Sequence, residues 1–347
     1  MRPLAQFPIG KRLVGGDAPV LFIAEAGVAH FGHMLLAQQL VCMAARAGAD
    51  VFKIQIFDVD ALISKSASHW KERLRPRNLS MDQVRELKMM CDELGMMFMA
   101  TAHDESRINW LDELDVPAIK VGSGERNNPN FLRKLSALGK PMIISTGMYT
   151  ERDILEAVDS CLSAGCDQIS LLHCVTAYPT EDEDVNLRAM DRLKSIFPGP
   201  VGYSDHTPDD LAILSAVARG AKIVEKHITV LRDIPDAQDW RVSSDPVTLP
   251  KLISGVRRIE AMLGNGKKEP AKCESTGMEW ALKSLVAAKP LAVGHVLTEG
   301  DIVAKRPGTG ILPNRIEDLI GKRLKRRYDV DEIFSMSDIE SKGRLNK

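Results

Sequence analysis

VGYSDHT (201–207) and KIVEKHIT (222–229) are apolar, β-branched runs that turn polar at their C-terminal ends, each closing on a histidine, His206 and His227. The intervening DDLAILSAVARGA has the length and periodicity of one amphipathic crossover helix, which returns a chain to the same edge of a parallel sheet. Parallel α/β folds gather their chemistry at strand C-termini, so this spacing brings both imidazoles to one face. Imidazole suits Zn, Mn or Fe, and strand ends hold ligands rigidly. A lone histidine is more often a satisfied polar residue. Two at equivalent strand ends make a metal site at His206 and His227 the first expectation.

The same alternation extends upstream. Strand-like runs occur at LFIAEAG (21–27), VFKIQIF (51–57), MFMATA (97–102), AIKVGSG (118–124), MIISTG (142–147) and ISLLHCV (169–175), with helical patterns between them and a last helix over 247–263. Eight β-α units in about 240 residues are the count of a closed (β/α)8 TIM barrel. A doubly wound open sheet competes, but it rarely has eight parallel strands with one helix each, and no GxGxxG marks the first turn. Residues 1–20 read as a small hairpin or plug. LGNGKKEPAKCESTG (263–277) interrupts the pattern, and SLVAAKPLAVGHVLTEGDIVAKRPGTGI then shows short β-like runs without a crossover helix. The expected organisation is an α/β barrel over 1–264, a linker over 265–279 and a small β-rich domain over 280–347.

Composition narrows the partners. Forty-six Lys and Arg against forty-seven Asp and Glu leave a net charge of −1, so no global field recruits nucleic acid or an anionic membrane. The basic run KRLKRR (322–327) reads as a solvated surface or a helix C-terminus. Six cysteines without a CxxC pair read as reduced core residues. No apolar run reaches the roughly 18 residues of a membrane span, and no leader pattern opens the chain. The expectation is a cytoplasmic protein.

The strand ends carry a dense set of ionisable groups: Glu25 with His30, Lys53 and Gln55, Thr101 and His103, Lys120 with Ser123 and Glu125, Ser145 and Thr146, His173 and Tyr178, Ser204 with Asp205 and His206, then Glu225, Lys226 and His227. Such groups inside apolar strands are costly unless used. A lysine in a barrel mouth either forms a Schiff base or clamps an anion. Lys53 and Lys120, with hydroxyls at Thr101, Ser123 and Ser145 and the glycines of VGSG and STGM, point to a small phosphorylated or carboxylated ligand. The alternative is that each lysine pairs with Glu25 or Glu125 as a buried ion pair.

IAEAGVAHFG, FKIQIF, IKVGSGERNNP, ISTGM, LLHCVTAYPT followed by DVNLRAM, GYSDHT, VEKHIT and the late KRPGTGI resemble, in order and over nearly the whole chain, the sialic acid (N-acetylneuraminate) synthase family. Spore coat polysaccharide biosynthesis proteins of the E type belong to the same group. The resemblance implies a (β/α)8 barrel joined to a C-terminal antifreeze-like (SAF, β-clip) domain in a domain-swapped homodimer. It also implies condensation of phosphoenolpyruvate with an open-chain amino sugar aldehyde, giving a 2-keto-3-deoxy sugar acid and phosphate. By the same resemblance, His206 and His227 hold a divalent metal, Mn2+ foremost, with Mg2+ or Co2+ as alternatives. Lys53, Thr101, Lys120, Ser123 and Ser145 hold phosphoenolpyruvate. Glu25 handles protons and, with Tyr178 and Asp239, meets the sugar, and Arg306 reaches the sugar from the neighbouring subunit. Catalysis falls to Glu25, Lys53, Lys120, His206 and His227.

Departures from the family pattern lie on the acceptor side. Thr176 stands where Asn or Ser is common, Phe31 replaces a polar residue in the first loop, and DAQDWRVSSDP puts Trp240 and Arg241 after the last strand. They imply an acceptor that is smaller or differently charged than N-acetylmannosamine. The basic KSASHWKERLRPRNLSM (65–81) reads as an exposed loop or as a lid on an anionic ligand. Three rivals stand beside this reading: another phosphoenolpyruvate-dependent aldol synthase, a Schiff-base aldolase, and a non-catalytic sugar-binding or ice-interacting protein.

Overall fold

A computed structural model describes residues 1–232 and 239–340. The chain forms two units, Met1–Gly264 and Asn265–Lys347. In the first, a hairpin of β1 (Gln6–Ile9) and β2 (Arg12–Gly15) precedes eight parallel strands: β3 (Leu21–Gly27), β4 (Val51–Ile56), β5 (Met97–Ala102), β6 (Ile119–Val121), β7 (Met142–Ser145), β8 (Ile169–Cys174), β9 (Val201–Asp205) and β10 (Ile223–His227). Their spatial order is β5-β4-β3-β10-β9-β8-β7-β6. The first and last strands pair, with His227 opposite Glu25, and β5 lies beside β6 at the remaining seam. The sheet is a nearly closed barrel, as the alternation of sequence patterns requires.

Among the described residues one principal helix follows each barrel strand: α1 (Met34–Ala47), α2 (Met81–Glu93), α3 (Ile108–Glu113), α4 (Pro129–Ser136), α5 (Glu151–Ser163), α6 (Arg188–Ile196), α7 (Leu211–Ala218) and α8 (Thr248–Leu263). Local chemistry sets their ends. Ser80 with Gln83 and Thr150 with Asp153 form reciprocal capping boxes that satisfy free N–H groups of α2 and α5. Gly48 ends α1 in the left-handed region at φ +84°, where a side chain would be strained.

The strands are apolar on both faces because both are buried. One residue parity, including Phe22, Phe52, Phe98 and Val224, packs against the helices. The other, including Leu21, Ile23, Val51, Met99, Ile143, Leu172 and Ile223, fills the barrel's lower interior together with Phe7, Ile9 and Val14 of the hairpin. The hairpin lies at the N-terminal ends of the strands: Leu4 N donates to Asp167 O, just before β8.

In the second unit β11 (Ser284–Ala287) and β12 (Ile302–Lys305) pair antiparallel over a core that includes Leu285, Leu291, Leu297, Tyr328 and Phe334. The segment expected as a linker carries a short helix, Ser275–Ala281, beyond the Gly- and Lys-rich 264–268. KRLKRR is tied down within this unit. Arg323 donates to Gly294 O, Lys325 to Ser337 O, and Arg326 pairs with Glu332 and Asp338. Among the described residues no helix is long and apolar enough to cross a membrane.

Candidate active site

Above the apolar floor, the inward parity of each strand supplies one polar residue: Glu25, Lys53, Thr101, Lys120, Ser145, Cys174, Ser204 and Glu225, all lining one pocket. Its volume is about 150 Å3, roughly ten times the space one water needs. The site therefore fits a small molecule of several heavy atoms. Ser123, Gln55, His103, Thr176, Tyr178, His206 and His227 form the rim.

The ring is an alternating charge network. Lys53 Nζ lies 2.7 Å from Glu25 Oε2 and 3.8 Å from Glu225 Oε2, and donates to Thr101 Oγ1 at 3.1 Å. Lys120 Nζ donates to Ser145 Oγ at 2.7 Å and lies 3.5 Å from Glu225 Oε1. The carboxylate facing Lys120 is thus Glu225. Glu125, the partner weighed from sequence, bonds Asn128 instead, because it sits on a short helical turn after β6.

Unequal shares of the lysine charge drive the two acids apart. Burial raises the proton affinity of Glu25 despite the Lys53 ammonium, and the neighbouring Glu225 adds to the effect. For Glu225, burial acts the same way, but Lys120 and Lys53 together outweigh it and hold the group below the ordinary glutamate range. One carboxyl of the pair is inclined to carry a proton and the other to stay ionised, the arrangement that acid–base chemistry uses. Burial also lowers the affinity of Lys120 for its proton.

At the rim the His206 and His227 rings lie 5.4 Å apart, and Tyr178 stacks 4.0 Å from His206. His206 Nδ1 sits 2.6 Å from the Val175 carbonyl, which can only accept, so Nδ1 carries the hydrogen and Nε2 keeps its lone pair. Burial pushes both imidazoles down toward the neutral form that ligates metals. The donor set fits a divalent ion held by two protein nitrogens. Among the described residues no group of three His, Cys, Asp or Glu converges on one point, so the other ligands would be water or substrate oxygens.

The remaining strand-end groups belong to the opposite parity. Lys226 is fully buried on the helix side, paired with Asp205 and donating to the Thr207 and Asp209 carbonyls. His173 bonds Val185 O at 2.8 Å, and the Thr146 hydroxyl bonds Leu172 O. His30 accepts from Gly32 N within its own loop. Reading strand ends as triplets mixed these structural residues with the site. Conversely, Glu225, Ser204, Gln55 and His103, named from sequence among the strand-end groups but given no role, line the pocket. Cys174, read as core, also lies there, its Sγ 3.8 Å from His206 Nδ1. The period-2 parity of each strand is the signal that sorts them.

Outside the rim a wider vestibule of about 610 Å3 is lined by Trp70, Arg73, Asp239, Trp240 and Arg241, with Gln55, His103 and Tyr178. Asp239 Oδ2 lies 3.8 Å from His227 Nδ1, and burial pushes its carboxyl up to about 6. The basic segment 65–81 is helical over Ser68–Leu74. Residues 236–238 of DAQDWRVSSDP lie outside the described residues. In the second unit the Arg306 guanidinium lies over the Trp280 ring at 5.4 Å, and its Nε donates to Ala281 O.

A family model described as the NeuB family matches residues 40–268. The chain belongs to the NeuB family. A SAF domain model matches residues 283–340, so the NeuB barrel is followed by a SAF domain. The N,N'-diacetyllegionaminic acid synthase of Legionella pneumophila is 34% identical over 94% of this chain and 96% of its own length. The human N-acetylneuraminate-9-phosphate synthase is 34% identical over 97% of each chain. The crystal structure of N-acetylneuraminic acid (sialic acid) synthetase from Leptospira borgpetersenii superposes with a TM-score of 0.74 at 34% identity, covering 79% of this chain and 95% of that one. This NeuB member is a sialic acid synthase-like enzyme.

Proposed function

We propose that the enzyme condenses phosphoenolpyruvate with an open-chain amino sugar aldehyde, forming a 2-keto-3-deoxy sugar acid of the sialic acid type and releasing phosphate, in cytoplasmic glycan or surface polysaccharide biosynthesis. The observation that supports this reading is the polar ring itself, in which two lysines and the hydroxyls of Thr101, Ser145 and Ser204 lie directly beneath two neutral imidazoles.

Lys53, Lys120, Thr101, Ser145 and Ser123 receive the donor's phosphate and carboxylate, where charge-assisted bonds are strong because water is excluded. Glu225 balances both ammonium groups. Carbon three of the donor's enol forms a bond to the aldehyde carbon, and the aldehyde oxygen takes a proton to become a hydroxyl. Water adds at carbon two and loses a proton, and the tetrahedral centre collapses to a ketone as the carbon–oxygen bond to phosphate breaks. Glu25, raised in proton affinity and 2.7 Å from Lys53, is suited to carry the proton. The lysines stabilise charge growing on the leaving phosphate. His206 and His227 would hold a divalent metal, Mn2+ foremost, supplying Lewis acidity toward the aldehyde oxygen. Tyr178 and Asp239 at the rim face the sugar, and Arg306 completes the acceptor site from the partner in a homodimer.

Phosphate release from phosphoenolpyruvate, with and without Mn2+, across aldoses and 2-acetamido sugars tests the proposal. Release with one sugar, abolished by EDTA and by His206→Ala, is expected. Release indifferent to EDTA, with a lysine adduct trapped by borohydride, would mean a Schiff-base aldolase. Mixing Arg306→Ala and Lys53→Ala chains should recover activity if Arg306 acts across subunits, and no recovery would refute that role.

A further inference from the structure

Among the basic residues of the segment after β4, some are spoken for, Lys65 is exposed but does not line the vestibule, and Arg73 lines it unpaired. Lys71 and Arg75 both pair with Asp60, at 3.0 and 3.1 Å. Arg77 is buried beside the Phe31 ring. Arg73 is exposed, lines the vestibule, and makes no ion pair among the described residues; its guanidinium lies 5.6 Å from the Trp70 ring centroid. Arg241, which lines the same vestibule, repeats the arrangement, exposed, without an ion pair among the described residues, and 5.4 Å from the Trp240 centroid. Trp70 is 42% exposed, a large indole left in solvent beside a site opening.

Two guanidinium groups, each backed by an indole within the roughly 6 Å of a cation–π contact, are oriented without being neutralised. The one carboxyl among the described lining residues is Asp239, at the inner end beside His227. The donor's own anionic groups are accounted for by the lysines of the inner ring, so the outer pair is left for the other reactant. A single carboxylate is matched by one guanidinium fork. A phosphomonoester, with charge near −1.5 to −2 and three acceptor oxygens, takes two. We propose that Arg73 and Arg241, stacked on Trp70 and Trp240, form a phosphate subsite, and that the acceptor is a sugar aldehyde phosphorylated at the end remote from its aldehyde. This rests on the synthase reading above.

The test pairs each acceptor with its terminal phosphate and with the matching sugar acid, on the full-length enzyme with Mn2+. Sugar binding is measured separately by calorimetry, so the subsite is decided even if no condensation occurs. The phosphorylated sugar is expected to bind, and to react with kcat/KM at least about a hundredfold above its neutral counterpart. Arg73→Gln and Arg241→Gln should each shrink that ratio about tenfold, through KM rather than kcat, consistent with the loss of one charge-assisted contact. Equal or stronger binding of the neutral sugar, a preference for the sugar acid, or a ratio unchanged in both variants would overturn the subsite while leaving the synthase reading standing. Failure of every sugar to elicit phosphate release from phosphoenolpyruvate, despite tight sugar phosphate binding lost in both variants, would sustain the subsite and overturn the synthase reading instead.

Discussion

Lys226→Ala should destabilise the barrel far more than the loss of one side chain's contacts. Its ammonium is fully buried, donates to the Asp205 carboxylate, and also donates to the Thr207 and Asp209 carbonyls at 2.7 and 2.9 Å. Asp205 in turn accepts from Tyr203 OH at 3.0 Å and from Thr207 N and Oγ1 at 3.1 and 2.9 Å. Removing the lysine leaves a buried anion without its cation, which costs about 3–5 kcal/mol. At about 2–4 °C per kcal/mol for a domain of this size, melting should fall by roughly 6–20 °C. Asp205→Asn alone strands the lysine at similar cost. The double variant Asp205→Asn/Lys226→Met removes both charges and keeps an amide oxygen for Tyr203 and Thr207, so it should cost about 2–6 kcal/mol, about 1–3 for each of the two abandoned carbonyls, and less than the two singles summed. Urea and thermal melts of the full chain, with Lys226→Met as the matching single variant of a double-mutant cycle, measure the coupling. A Lys226→Ala cost below about 1 kcal/mol, or a double variant as unstable as the two singles summed, would refute the reasoning. Since Asp205 and Lys226 immediately precede His206 and His227, the single variants should also weaken metal-dependent turnover, and the double variant should recover part of it.

Lys53→Ala and Lys120→Ala should each raise the KM for phosphoenolpyruvate about tenfold to a hundredfold and lower kcat, the loss expected for charged contacts kept in the transition state; unchanged donor kinetics would remove the lysines from the donor site. Gly147→Ala would place a Cβ 2.2 Å from Thr176 Oγ1 and 2.8 Å from Ser123 Oγ, and Gly147 N already donates to Ser123, so donor affinity should drop while the melting temperature holds. Equal donor affinity would show that Ser123 can move at no cost. In the second unit, burial raises the Asp301 carboxyl, but His295, Lys289 and Thr298 outweigh it and hold the group well below the usual range. That stabilisation is present above the unfolded value near 3.9 and is lost as pH falls below it toward the lower folded value. Acid melts should therefore be steeper for the native chain than for Asp301→Asn as pH falls from about 4 to 2; parallel curves would contradict the assignment.

The barrel was legible because its strands are buried on both faces, which leaves runs such as VFKIQI that few other folds produce. Lys53 and Lys120 announced themselves as charges inside such runs. Strand ends were harder. Asp205 and His206, or Lys226 and His227, are neighbours in sequence but face opposite ways, and only the parity fixed by Ile223 and Glu225 separates the pocket from the strut behind it. The pairing of Lys120 with Glu225 was not legible at all, since it joins strands four places apart around the ring and exists only once the barrel closes. Arg73 looked like any residue of a basic loop until Asp60 was seen to engage its neighbours.

The hairpin at the N-terminal end has a kinetic meaning. Phe7, Ile9 and Val14 stopper the barrel with hydrocarbon, so the ring of lysines and carboxylates is sealed from below and communicates with solvent through the rim. A vessel with one neck imposes an order of traffic. Whatever binds deepest must enter first and leave last, and a sugar resting in the neck bars the way to the bottom. Under the proposed reaction the donor precedes the acceptor, and phosphate, left at the bottom, departs after the sugar acid. Inorganic phosphate should then compete with phosphoenolpyruvate but not with the sugar, and excess sugar should slow the enzyme by occupying the neck too early.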